Sequence, residues 1–261
     1  MAKDSAIGSF TIVLLLALVC SALVAGTAVG LRDRQEANRL LDRQKNILLA
    51  ANLYEPGADL ATMLAAVETR IVRLADGAFV PAAEIDPEEF NQLEAALDPQ
   101  TGRELSRPED LAGLGRVEKY SLVYLVRDNG RIDRVVLPIR GRGVWSTMHA
   151  YIALADDFNT VVGVTFYLHG ETPGLGGEIE NPAWQESWQG KQVYDRQNQP
   201  TLRVIKGQAP PGEAGAHQID GISGATRTLD GVSKLLEFWF GEHGFQPFLE
   251  RLRAGEINDE R

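Results

Sequence analysis

Residues 7–31, IGSFTIVLLLALVCSALVAGTAVGL, run for 25 positions without a charged side chain. A bilayer core about 30 Å thick is crossed by about 20 such residues in a helix. Backbone polar groups in lipid must be satisfied within the segment, so a run of this kind is confined to a helical span. A cleaved signal peptide is the competing reading, because Ala25-Gly26-Thr27-Ala28 resembles a small-residue cleavage site. The run exceeds the about 7–15 residues of a signal h-region, and its leading segment offers only Lys3 offset by Asp4, so the anchor reading is preferred. Cys20 is not a lipobox cysteine, since Val19 stands where a small residue is needed; it is expected to be a small buried apolar side chain. Arg32, Arg34, Arg39, Arg43 and Lys45 follow the span. By the positive-inside rule alone the body would be cytoplasmic, a rule that long domains override.

The rest of the chain is a different material. Residues 1–50 carry 6 basic and 4 acidic side chains, and the remaining 211 carry 20 and 32. An acidic body argues against nucleic acid as a partner, because phosphate binding needs clustered Lys and Arg. One cysteine excludes an internal disulfide and any Cys-ligated zinc or iron–sulfur cluster built by this chain alone. Redox chemistry would therefore need another cofactor.

Leu40, Leu41, Ile47 and Leu48 continue a helical pattern, with no Gly or Pro until Pro56. Asp59 then reads as an N-cap, followed by Leu60, Leu64, Val67, Ile71 and Leu74 on one face of an amphipathic helix. Glu84 to Asp110 holds nine acids against two arginines, with a short helix expected around Leu93–Leu97, and reads as a solvated insertion. β-structure is expected from Tyr120. Tyr120–Val126 and Arg131–Leu137 flank an Asn129-Gly130 hairpin signal, His149–Ala155 and Val161–Leu168 form a second pair, and Thr201–Ile205 is a further strand. Leu229, Val232, Leu235, Leu236 and Trp239 predict a closing amphipathic helix. The fold class is α+β: an N-terminal transmembrane helix, then a soluble domain with a twisted antiparallel sheet and flanking helices.

Three segments could carry chemistry. His169-Gly170-Glu171-Thr172-Pro173-Gly174-Leu175-Gly176-Gly177 follows a strand and lets backbone approach a ligand closely, or it is a wide surface turn. Gly141-Arg142-Gly143-Val144-Trp145-Ser146 offers a Trp that stacks on a flat ring or sits in the core. Asp220-Gly221-Ile222-Ser223-Gly224-Ala225-Thr226, with Thr228 just beyond, precedes the last strong helix. It suits a phosphate at a helix N-terminus, or is a plain cap by Thr226 or Thr228. His149, His169, His217 and His243 show no metal-ligand spacing, so no metal site is expected.

Asp220-x-x-Ser223-Gly224-Ala225-Thr226 resembles the flavinylation motif of bacterial FMN-binding domains. Chance alone would produce such a match in roughly one chain in a thousand of this length. The Gly-rich run, the Gly-x-Gly-x-Trp-Ser run and the single span passing into Arg32–Leu49 extend the likeness. Together they resemble the C-subunit family of sodium-translocating NADH:quinone reductases. The related G-subunit of an ion-translocating electron-transport complex, and a membrane-anchored FMN-binding redox sensor, are the alternatives.

The resemblance implies FMN joined through its phosphate to Thr226, single-electron transfer, a periplasmic soluble domain in the bacterial inner membrane, and membrane, flavin and iron–sulfur partner subunits. It also implies a flavin transferase that reads Asp220 and Ser223. Ser223, Gly224, Ala225, Thr228, Glu171, Thr172, Leu175, Gly176, Trp145 and Ser146 would then hold the cofactor, with Lys206 near its phosphate or ring. The domains are expected at 1–6 (tail), 7–31 (span), 32–118 (helical region with the acidic insertion), 119–250 (FMN-binding domain) and 251–261 (tail).

Overall fold

The computed structural model describes residues 6–256. Lys3 and the end of the expected C-terminal tail lie outside that range. The chain forms two compact units that divide between Gln44 and Lys45.

The first unit belongs to helix α1 (Ala6–Ala50). Its stretch Gly8–Arg32 is long and apolar enough to cross a membrane, with mean hydropathy 2.7 and none of it buried against protein. Cys20 is exposed with its neighbours rather than packed in a protein core, which corrects the sequence expectation. A helix that is apolar all round has no polar face to turn to water.

In the second unit, α1 ends before Pro56. Asn52 adopts φ 55°, the Leu53 amide donates to Leu48 O (2.8 Å) and the Asn52 amide to Leu49 O (3.0 Å). That is a Schellman stop with Asn in place of Gly. The helices that follow are α2 (Leu60–Leu64), α3 (Gln92–Leu97), α4 (Pro182–Glu186), α5 (Thr226–Trp239) and α6 (Gln246–Arg253).

The strands are β1 (Val67–Arg73), β2 (Phe79–Val80), β3 (Gly102–Glu104), β4 (Arg116–Glu118), β5 (Tyr120–Asp128), β6 (Arg131–Arg142), β7 (Thr147–Ala155), β8 (Val161–Leu168), β9 (Arg203–Val204) and β10 (Gln218–Ile219). Six of them form one antiparallel sheet in the order β2-β1-β5-β6-β7-β8. The remaining four form two small ribbons, β3–β4 and β9–β10. Asn129 (φ 49°) and Gly130 (φ 80°) make the β5–β6 turn, the two positive φ values that a type I′ hairpin demands.

Both faces of the sheet are covered. On one, Val123, Leu137, Ile152 and Phe166 pack with Val232, Leu236 and Trp239 of α5 and with Phe248 of α6. On the other, Leu122, Tyr124, Val136 and Tyr151 pack with Ile47, Ala50 and Ala51. Burial on both sides explains why β5 is apolar in succession rather than in alternation, from Leu122 to Val126.

The amphipathic helix expected from Leu60 to Leu74 is not formed. Helix α2 stops early, and Val67–Arg73 becomes β1, paired residue by residue with β5 from Val67↔Val126 to Arg73↔Tyr120. Val67, Ile71 and Val72 suit a strand, and seven ladder partners outweigh a weak helical preference. The region 32–118 therefore holds β1 to β4 and is not simply helical, and β-structure begins well before Tyr120. The short helix in the acidic stretch is present as α3, capped by Asn91. The expected strand Thr201–Ile205 shrinks to Arg203–Val204.

Candidate functional site

Strand order brings the three Gly-rich segments together. Arg142 pairs with Thr147 across β6–β7, and His149 pairs with Leu168 across β7–β8. The 143–146 turn and the loop that starts at His169 thus leave the same end of the sheet. The amide of Gly170 donates to Ser146 Oγ at 2.6 Å and ties the two.

Glu171 is the centre of this assembly. Its side chain is buried, with 5% of the residue exposed. Oε1 accepts from the Trp145 amide (2.9 Å), and Oε2 accepts from the Val144 amide (3.1 Å) and from the Thr228 hydroxyl (2.5 Å). One carboxylate therefore joins the β6–β7 turn, the Gly-rich loop and the first turns of α5. Burial alone would raise the carboxyl's pKa, but donation from Thr228, Trp145 and Val144 outweighs it and holds the group below the usual range. Gly176 completes the junction: a Cβ there would collide with Thr228 Oγ1 and lie 3.1 Å from Glu171 Oε2, so only glycine fits. Behind Glu171, its own amide donates to His169 Nδ1 (3.1 Å), while His169 Nε2 lies 2.7 Å from Glu180 Oε1.

Thr226 is the first helical residue of α5, and it is exposed. Neither Thr226 nor Thr228 caps the helix: the N-cap is Ala225, which provides no side-chain acceptor. The capping readings are corrected, because Thr228 (3% exposed) is committed to Glu171. Ser223 is exposed, and a Cβ on Gly224 would lie 2.8 Å from Leu175 Cδ2, so the motif turn rests on the Gly-rich loop. Trp145 is not a core residue: it is 73% exposed, and Leu175 is 45% exposed. Thr172 is exposed and its carbonyl accepts from the amides of Leu175 (3.1 Å) and Gly177 (2.8 Å).

Asp220 has a bracing part. Its carboxylate accepts from the Ala209 amide (2.8 Å), and its carbonyl from Trp184 Nε1 (2.7 Å). Lys206 is exposed on the adjoining loop, held where the Gly221 amide donates to Gly207 O (2.7 Å). Sequence reasoning gave no role to Val144, whose amide meets Glu171, and missed a recess of about 540 Å³ beside it, lined in part by Arg142, Val144 and Arg227. Nothing in local periodicity marks either.

Residues 143–241 match the FMN-binding domain family, a range that contains all three Gly-rich segments except Gly141 and Arg142. The chain is 44% identical to the C-subunit of the Na(+)-translocating NADH-quinone reductase of Yersinia pestis, covering 98% of this chain and 97% of that one. It is 46% identical to the C-subunit from Pseudomonas aeruginosa, over 97% and 98%. The chain belongs to the C-subunit family of Na(+)-translocating NADH-quinone reductases. Among solved structures, NqrC of Shewanella oneidensis superposes with TM-score 0.76 at 34% identity, covering 84% of this chain and 99% of that one. The corresponding structure from Parabacteroides distasonis gives TM-score 0.63 at 26% identity, over 84% and 96%. Membership of the family makes this chain a flavoprotein of the FMN-binding class, and the antiparallel sheet with flanking helices is the family's fold.

Proposed function

We propose that FMN is held by a phosphoester to the Thr226 hydroxyl, and that the chain passes single electrons as the anchored C-subunit of a sodium-translocating NADH:quinone reductase. The observation that carries this reading is Thr226 itself: an exposed hydroxyl on the first residue of α5, inside Asp-x-x-Ser-Gly-Ala-Thr.

The residues present fit such a group. Ala225 leaves the first-turn amides without a side-chain acceptor, so those donors and the helix dipole suit a phosphate. Trp145 and Leu175 offer exposed apolar surface to a flat ring. Bound there, FMN would supply one-electron redox chemistry. The chain's own part is placement. Glu171 fixes the Trp145 turn to α5, Leu175 supports the turn at Gly224, and Asp220 braces the motif for recognition by a flavin transferase together with Ser223. Lys206, on the loop that adjoins the motif, meets the phosphate's charge. Helix α1 anchors the body, which we place on the periplasmic side against the charge flanks of the span. The FMN-binding domain is taken as 119–250, and the adjoining partners as the membrane, flavin and iron–sulfur proteins of the complex.

The test is co-production with an active flavin transferase, followed by a denaturing gel read for flavin fluorescence and an intact mass. The expected result is a fluorescent band with about 438 added mass units, FMN less water. Thr226→Ala should abolish both, and Thr228→Ala should keep both. Retained covalent flavin in Thr226→Ala would overturn the assignment.

A further inference from the structure

Beside the Glu171 junction lies a recess of about 540 Å³ between the segment 110–113, the β6–β7 turn and one face of α5. Three cationic side chains line it: Arg142, Arg227 and Lys234. All three are exposed, and none forms an ion pair among the described residues. Two carboxylates also line it: Asp110, which accepts from the amides of Leu114 (2.6 Å) and Gly115 (2.9 Å), and the exposed Asp230, so the three cations outweigh the two anions by one charge. The rim is apolar. Leu111 is 40% and Val144 39% exposed, and the exposed Trp145 follows Val144 in the chain.

This combination departs from the rest of the body, which is strongly acidic. Two arginines beside exposed Leu111 and Val144 are the composition of an interaction surface rather than of a solvated face. The recess is also rigidly framed, since the Arg142 amide donates to Ala112 O (2.7 Å) and the Val144 amide to Glu171.

We propose that this recess docks an acidic segment of an adjoining protein of the complex and so brings that protein to the flavin site. The proposal rests on the function given above, since it makes the docked protein an electron partner. Charge complementarity selects the occupant. Carboxylate side chains on a protruding segment can enter a recess and meet two guanidinium forks. A planar anionic membrane surface cannot enter it, and the apolar rim suits the aliphatic parts of a peptide. Arg227 follows Thr226 directly, and Val144 precedes Trp145, so an occupant would reach the edge of the flavin site without covering the Glu171 junction.

The test uses the full chain within the purified complex. Arg142→Glu with Lys234→Glu reverses two charges while leaving the flavinylation motif and the Glu171 junction intact. Covalent flavin, read by gel fluorescence, should be unchanged, whereas NADH-dependent flavin reduction or its reoxidation by quinone should slow on the order of tenfold. The rate with the unaltered chain should fall as salt rises, and the variant should lose that dependence. A photo-crosslinking residue at position 234 should map to an Asp- or Glu-rich segment of another protein of the complex. Unchanged flavin turnover in the doubly reversed variant, or crosslinks to lipid alone, would overturn the proposal. Absence of covalent flavin from the unaltered chain would instead fault the underlying function, so the two failures are distinguishable.

Discussion

The Thr228 hydroxyl donates to Glu171 Oε2 across 2.5 Å, joining residues 57 positions apart in the chain. The same carboxylate accepts from the Val144 and Trp145 amides, so three segments share one buried anion. The bond does for Thr228 what Thr226 is spared: one threonine is locked inward and the other is left facing out, two residues away on the same helix.

Breaking that junction should loosen the flavin site without removing the attachment point. Glu171→Gln puts an amide N–H₂ against a backbone donor, and Thr228→Val removes the hydroxyl donor. Each should cost about 1–3 kcal/mol, the usual penalty for leaving a buried polar group unsatisfied. Thermal or urea unfolding checks the loss, with gel fluorescence as the control for covalent flavin. A stability change below a few tenths of a kcal/mol in both would remove Glu171 from its central place.

Trp145 makes the opposite prediction. It is 73% exposed, so Trp145→Ala should change stability by no more than about 0.5 kcal/mol, as for ordinary surface substitutions. With the ring placed on Trp145 as proposed, the flavin absorption and fluorescence should change nonetheless, through loss of a stacking surface. A large drop in melting temperature with an unaltered flavin spectrum would assign Trp145 a packing role instead.

The pair Glu118–Arg140 is a stability element away from the flavin site. Arg140 Nη1 donates to Glu118 Oε1 at 2.9 Å and Nη2 to Oε2, with Glu118 fully buried and the guanidinium 5.4 Å from the Trp239 ring. Glu118→Ala leaves that buried cation uncompensated and should cost about 3–5 kcal/mol. Denaturant unfolding measures it, and a loss under about 1 kcal/mol would mean that water reaches Arg140 in the variant.

His149 should make the fold acid-sensitive. Burial, and then the nearby Arg140 charge, lower its pKa from 6.5 to about 4. The unfolded chain takes up this proton at higher pH than the folded chain does. Stability should therefore fall as pH drops from about 6.5 toward 4, by at most about 1.4 kcal/mol per unit from this group. His149→Gln should flatten that part of the stability–pH curve; an unchanged slope would show that other groups carry it.

Local pattern was enough for the elements whose partners do not change their periodicity. An uncharged run of membrane length can only be a helix in lipid. Asn129-Gly130 can only turn one way between two β-rich runs. The spacing of Leu229, Val232, Leu235, Leu236 and Trp239 already described α5. What sequence could not decide was anything set by a distant partner. Val67–Arg73 carries both a helical and an alternating pattern, and pairing with β5 selected the strand. Trp145 has the composition of a core residue, and the direction of the β6–β7 turn put it outside. Thr226 and Thr228 are equivalent as letters before a helix. Glu171, brought from 57 positions away by the antiparallel order of β6, β7 and β8, takes one hydroxyl and leaves the other exposed. Local propensities sum along the chain, whereas a buried carboxylate chooses its donors by position in space, and only the tertiary fold supplies that.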